Sequence, residues 1–96
     1  MKIMISNEAF QWFKKEMEVV QGKSIRFYAR YGGSSPFHEA FSLGMTQDEP
    51  HDIGAETFVE GIHFYIEKDD LWFFNDHDLH VKVNEKSEEL TYDYVK

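Results

Sequence analysis

Ser24-Ile25-Arg26-Phe27-Tyr28-Ala29-Arg30-Tyr31-Gly32-Gly33-Ser34-Ser35-Pro36 decides the fold. Ile25, Phe27, Ala29 and Tyr31 alternate with Arg26, Tyr28 and Arg30, the two-residue period of a strand with one apolar face. Gly32 to Pro36 is turn chemistry throughout. Beyond it Phe37, Glu39, Phe41, Leu43 and Met45 alternate with His38, Ala40, Ser42 and Gly44, so the stretch predicts a β-hairpin.

Upstream the period is helical. Phe10, Phe13, Met17 and Val20 recur at spacings of 3, 4 and 3, behind a cap at Ser6 or Asn7 and ahead of a stop at Gly22. Downstream, Thr46 to Gly54 carries Asp48, Glu49, Pro50, His51 and Asp52 and is expected as an exposed loop. A second β region starts near Thr57 and continues through Ile62, Phe64 and Ile66. Asp69-Asp70-Leu71-Trp72-Phe73-Phe74-Asn75 breaks the alternation, and its acidic start before a dense apolar cluster predicts a short helical turn on the core. Leu79, Val81 and Val83 resume a strand, and Leu90 to Val95 forms the last. The order predicts an α+β domain with a mixed or antiparallel sheet.

Composition narrows the functions. The 96 residues hold 18 acidic and 10 basic side chains, a net charge of −8, which opposes the counterion-displacing contacts that nucleic acid requires. Lys23, Arg26 and Arg30 form the nearest approach to a basic patch, and acidic residues elsewhere dilute it. No apolar run approaches the roughly 20 residues of a membrane-spanning helix, and Met1 to Ile5 is too short for a signal-peptide core. The expected location is the cytoplasm. With 42% hydrophobic and 17% aromatic residues, the chain has enough apolar mass for one core. With no cysteine, thiolate metal sites, thiol nucleophiles and disulfides are all excluded.

The remaining chemistry lies in histidines, carboxylates and the glycine turn. Asp76-His77-Asp78-Leu79-His80 is the densest group, yet His77 and His80 are an odd number apart and point to opposite faces of an extended segment. His38 and His63 fall on the polar sides of their strands, where they could meet across the sheet with Glu39 or Glu67 nearby. Ser34 and Ser35 lack a nucleophile elbow. The Gly32-Gly33-Ser34-Ser35 turn offers a backbone-amide concavity for an anion, although a hairpin turn explains it more simply. Trp12, Trp72, Phe73 and Phe74 are read as core rather than as a ligand pocket.

Together, the helix, the strand Arg26 to Tyr31, the turn Gly32-Gly33-Ser34-Ser35 and the strand ending Phe41-Ser42-Leu43 resemble the HesB-like family of A-type iron–sulfur cluster assembly proteins. Ile66 to Asn75 and Leu79-His80-Val81 extend the likeness over nearly the whole chain. The resemblance implies residues 1–96 as a single HesB-like α+β domain. It places the binding surface at Gly32, Gly33, Ser34 and Ser35. In that family the turn reads Gly-Gly-Cys-Ser-Gly, and a C-terminal Cys-Gly-Cys segment completes the ligand set. Here Ser34 stands at the cysteine position and Pro36 at the last glycine, while the final residues are Tyr94-Val95-Lys96.

A serine alkoxide does not form readily at neutral pH, so Ser34 is a poor substitute for a soft thiolate. The resemblance therefore implies a non-enzymatic relative that binds no cluster and needs no cofactor or metal. It would act through protein partners in iron–sulfur or iron metabolism, with a homo-oligomer left open. The alternative is a hard-metal or anion-binding module built from His38, His63, His77 or His80 with carboxylates. A structural protein that pairs through its edge strands is a third class.

Overall fold

A computed structural model describes all 96 residues. Seven strands, one α-helix and one 3-10 helix make an α+β fold with strands β1 (Ile3–Ile5), β2 (Ser24–Tyr31), β3 (Phe41–Gln47), β4 (Ile53–Val59), β5 (Ile62–Glu67), β6 (Asp78–Asn84) and β7 (Glu89–Val95). The strands form a four-stranded sheet, β3-β2-β5-β4, and a three-stranded sheet, β1-β6-β7. β1 runs parallel to β6 and β2 parallel to β5; the other three pairings are antiparallel.

Helix α1 (Asn7–Glu16) starts where Ser6 accepts a hydrogen bond from Ala9 N–H, satisfying one of the orphan donors of a helix start. It stops earlier than the apolar stripe predicts. Met17 caps it and Glu18 takes a left-handed φ of 52°, which rotates the next residues out of helical phase. Val19, 3% exposed, therefore enters the core in place of Val20, 59% exposed. Phe13 packs edge-on against Phe64 at 5.1 Å and Phe27 at 6.2 Å, tying α1 to the four-stranded sheet. The same core takes in Phe73, Phe74, Leu79 and Val81.

Three further expectations change. β1 has too few residues for a periodicity signal and exists because β6 pairs with it. The second β region divides into β4 and β5 at Glu60-Gly61, whose φ values of 46° and 84° are those of a hairpin turn with both central residues left-handed. β3 begins at Phe41 rather than Phe37, because Ser35 turns the chain first: its hydroxyl accepts from His38 N–H at 3.2 Å, and Ser35 N–H donates to His38 O at 2.9 Å. The acidic-led segment forms the 3-10 helix Lys68–Phe74. No helix is long and apolar enough to cross a membrane.

Candidate functional site

The glycine turn closes the β2–β3 hairpin and stands at a surface cleft of about 290 Å³. The turn contributes Ser34, Ser35 and Pro36, β3 contributes Ser42 and Leu43, and β7 contributes Tyr92 and Tyr94. Gly33 has φ +70°, and a Cβ there would lie 3.2 Å from the Ser42 side chain, so both conformation and space favour glycine. Arg30 Nη2 reaches Ser42 Oγ at 3.4 Å from the paired position on β2. Tyr92 O–H donates to Met45 Sδ at 3.5 Å. Burial pushes the Tyr94 hydroxyl up to about 12, with Tyr92 adding to the shift, and burial raises Tyr92 as well. Both hydroxyls are therefore donors at neutral pH. Of the sequence-derived site residues, Ser34 and Ser35 line this cleft, while Gly32 and Gly33 shape the turn beside it.

The histidines do not converge. His38 packs against Trp72 at 4.9 Å and Phe73 at 5.6 Å. His63 stacks between Phe58 at 4.3 Å and Tyr65 at 5.3 Å, with Ser24 Oγ 3.3 Å from its Nδ1. His77 lies on Phe37 at 4.6 Å, its Nδ1 2.7 Å from Asn75 O. His80 sits opposite Asp93 in the β6–β7 register. No group of three or more histidines and carboxylates comes together at metal-binding distance. The aromatics divide: Phe73 and Phe74 are fully buried and Trp12 is partly buried, but Trp72 is 48% exposed. Trp72 joins Phe41, at 5.1 Å, and Phe41 joins the exposed Tyr31 at 5.7 Å.

A polar network that local pattern does not reveal lies on the face of β2 and β5 opposite the core. Every residue of β5 is buried, including His63, Tyr65 and Glu67. Glu67 accepts from His51 N–H at 2.7 Å and Asp52 N–H at 2.6 Å. Tyr65 donates to Asp48 O at 3.0 Å. The loop between β3 and β4 is thereby held over the sheet. Beside it Arg26 Nη2 meets Asp70 Oδ2 at 2.7 Å. The hydrogen bond from His51 N–H, followed by that from Asp52 N–H and the charge of Arg26, holds the Glu67 carboxyl below its ordinary value despite opposition from burial. The hydrogen bond to Asp70 raises Arg26. Buried charges that are paired in this way maintain a structure, although Arg26 Nε and His63 Nε2 on this face have no hydrogen-bond partner. Arg26 and the acidic start of the 3-10 helix stand out in the sequence, but nothing local joins positions 26 and 70.

Fold and site thus define a two-sheet α+β protein with a hydroxyl-lined cleft beside its glycine turn. No family model matches the chain, and no solved structure matches it. It is 39% identical over 94 residues to the pyruvate dehydrogenase inhibitor of Bacillus subtilis strain 168, covering 98% of this chain and 99% of that protein. An uncharacterized protein of Staphylococcus saprophyticus is 39% identical over 95 residues, covering 96% and 97% of the two chains. One from Staphylococcus haemolyticus is 30% identical over 99 residues and covers both completely. The chain belongs to the family that contains the Bacillus subtilis pyruvate dehydrogenase inhibitor and these staphylococcal proteins.

Proposed function

We propose that this chain is a cytoplasmic, non-enzymatic inhibitor that binds pyruvate dehydrogenase. The end-to-end similarity to the Bacillus subtilis inhibitor carries the reading, since 98% and 99% of the two chains align at 39% identity. The exposed Tyr31 and Trp72, bridged by the half-buried Phe41, and the open cleft supply surface for a protein partner. Adding the purified chain to pyruvate dehydrogenase from the same cell should lower its rate in a saturable way. A rate unchanged at a large molar excess of the chain rejects the proposal.

A second reading keeps the HesB-like architecture, with partners in iron–sulfur or iron metabolism. Its support is the β2–turn–β3 unit, in which Gly32 and Gly33 both have positive φ and Ser34 follows them. In this reading the chain holds no iron–sulfur cluster, because one hydroxyl replaces a thiolate and clusters generally need four soft ligands. Anaerobic reconstitution with iron and sulfide, followed by desalting, should leave neither bound to the unmodified chain nor to Ser34→Cys. Stoichiometric iron and acid-labile sulfide on the unmodified chain would defeat the cysteine-loss argument.

A further inference from the structure

Hydrogen-bonded pairs alternate along an antiparallel ladder, so bonds at the two ends of β2–β3 decide the orientation of every residue between them. Gly32 N–H donates to Ala40 O at 2.8 Å and Asp48 N–H to Ser24 O at 3.3 Å. The register places Arg30 opposite Ser42, Tyr28 opposite Gly44 and Arg26 opposite Thr46. Ser42, Gly44 and Thr46 therefore bond to β2. Phe41, Leu43 and Met45 turn their N–H and C=O groups outward, along an edge that no strand covers.

This edge has neither charge nor proline, the usual means of blocking strand addition. Of the other edge strands, β4 and β7 carry Glu56 and Glu89 with Asp93, while β1, also uncharged, is only three residues long. Ser42 and Leu43 project to opposite faces of β3, so a cleft touching both runs across the open edge.

The Phe41 end of that edge differs from the rest. No carboxylate lines the cleft, although the chain carries 18 acidic residues. Gly33 N–H and Ser34 N–H make no backbone hydrogen bond, and the Arg30 guanidinium stands against Ser42. Arg30 reaches the cleft through Ser42, the turn adds free N–H donors, and none of the residues lining the cleft is a carboxylate, the exposed Glu39 lying outside it. Such a set favours a single negative charge. A peptide pairing antiparallel with β3 ends at Phe41, which brings its terminal carboxylate to this group. The cleft, at about 290 Å³, is at the low end for ligand pockets and suits a chain end rather than a folded surface.

We propose that the cleft binds the free C-terminus of an extended peptide, its main chain added antiparallel to β3 and its carboxylate held by Arg30 with the Ser34 and Ser42 donors. The last side chain would rest against Tyr92 and Tyr94. Because the chain carries −8, residues upstream of that carboxylate should be neutral or basic. The proposal deepens the reading of this chain as a protein that acts by binding another.

The test is a bead-bound library of octapeptides, randomised over their last four positions, offered once with free C-terminal carboxylates and once amidated. The labelled chain should enrich on the free-acid beads alone. For a selected peptide, amidation and Arg30→Gln should each weaken binding about tenfold by fluorescence anisotropy, and the two losses should not add. Leu43→Pro removes an outward N–H and no bond to β2, so it should weaken binding while the circular dichroism of the chain is retained. Equal enrichment on both libraries, or none on either, overturns the proposal. So does displacement by acetate at the concentration at which the free-acid peptide itself competes, because the site would then hold a small carboxylate and no strand. These measurements do not use pyruvate dehydrogenase. Loss of peptide binding with inhibition intact discards the C-terminus proposal alone, and the reverse result discards the inhibitor reading alone.

Discussion

β5 buries both of its faces, while β2 beside it buries one and half-buries the other at Arg26 and Tyr28; hydrocarbon covers the first face, charge and hydrogen bonds the second. On the first, Phe27 and Phe64 stack at 6.2 Å and receive Phe13 from α1. On the second, Arg26 pairs with Asp70 while Glu67 holds two amides of the β3–β4 loop. The apolar face tolerates any well-packed hydrocarbon of similar volume. The polar face is stable only if each partner arrives, because a buried charge without its partner has lost its water for nothing. The glycine turn differs from both: it is exposed, and much of its donor capacity is uncommitted. Committed polar groups hold a fold, whereas uncommitted ones are available to a ligand.

Replacing one residue on each face separates these roles. Phe64→Ala, on the apolar face, should cost about 3–5 kcal/mol in urea unfolding through lost burial and the cavity left behind. Asp70→Ala, on the polar face, should cost about 2–3 kcal/mol, because Arg26 retains its charge without its partner but keeps some contact with water. Changing both residues, Arg26→Leu with Asp70→Leu, should recover most of that loss. A double variant as unstable as the sum of its parts would show that the pair is worth more than the charges it leaves behind.

The polar face should also respond to acid. Glu67 titrates below its ordinary value of 4.5 in the folded chain. Its contribution is therefore complete above that value and is lost as pH falls through the depressed native one. Glu67→Gln should flatten the dependence of the unfolding midpoint on pH below about 4.5, with a lower midpoint at neutral pH. An unchanged acid slope would mean that the loop amides do not discriminate between the charged and protonated forms.

The turn should give the smallest effects. Gly33→Ala forces a β-carbon into a left-handed position against Ser42 and should cost about 1–2 kcal/mol. Ser34→Ala, exposed and outside the core, should stay within about 0.5 kcal/mol of the original. If Ser34→Ala matched Asp70→Ala in urea, the turn would be structural and the contrast with the polar face would disappear.

Much of this was present in local chemistry. Ser6 before an apolar stripe specifies a capped helix, alternation from Ile25 to Tyr31 specifies a strand, and two acidic residues ahead of Leu71-Trp72-Phe73-Phe74 specify a helical turn. The absence of cysteine excludes thiolate chemistry with no need of coordinates. These signals survive because each depends on residues within a few positions of one another.

The tertiary structure decided the rest. It chose Val19 over Val20 by ending α1 at Glu16, made β1 a strand by offering it β6, and separated His38 from His63. It also joined Arg26 to Asp70 across 44 positions and left the β3 edge without a partner. Periodicity tells which side chains share a face of their own element, because backbone geometry sets that period. What covers the face depends on which distant segment packs there, and that follows from the balance of burial, pairing and desolvation over the whole chain.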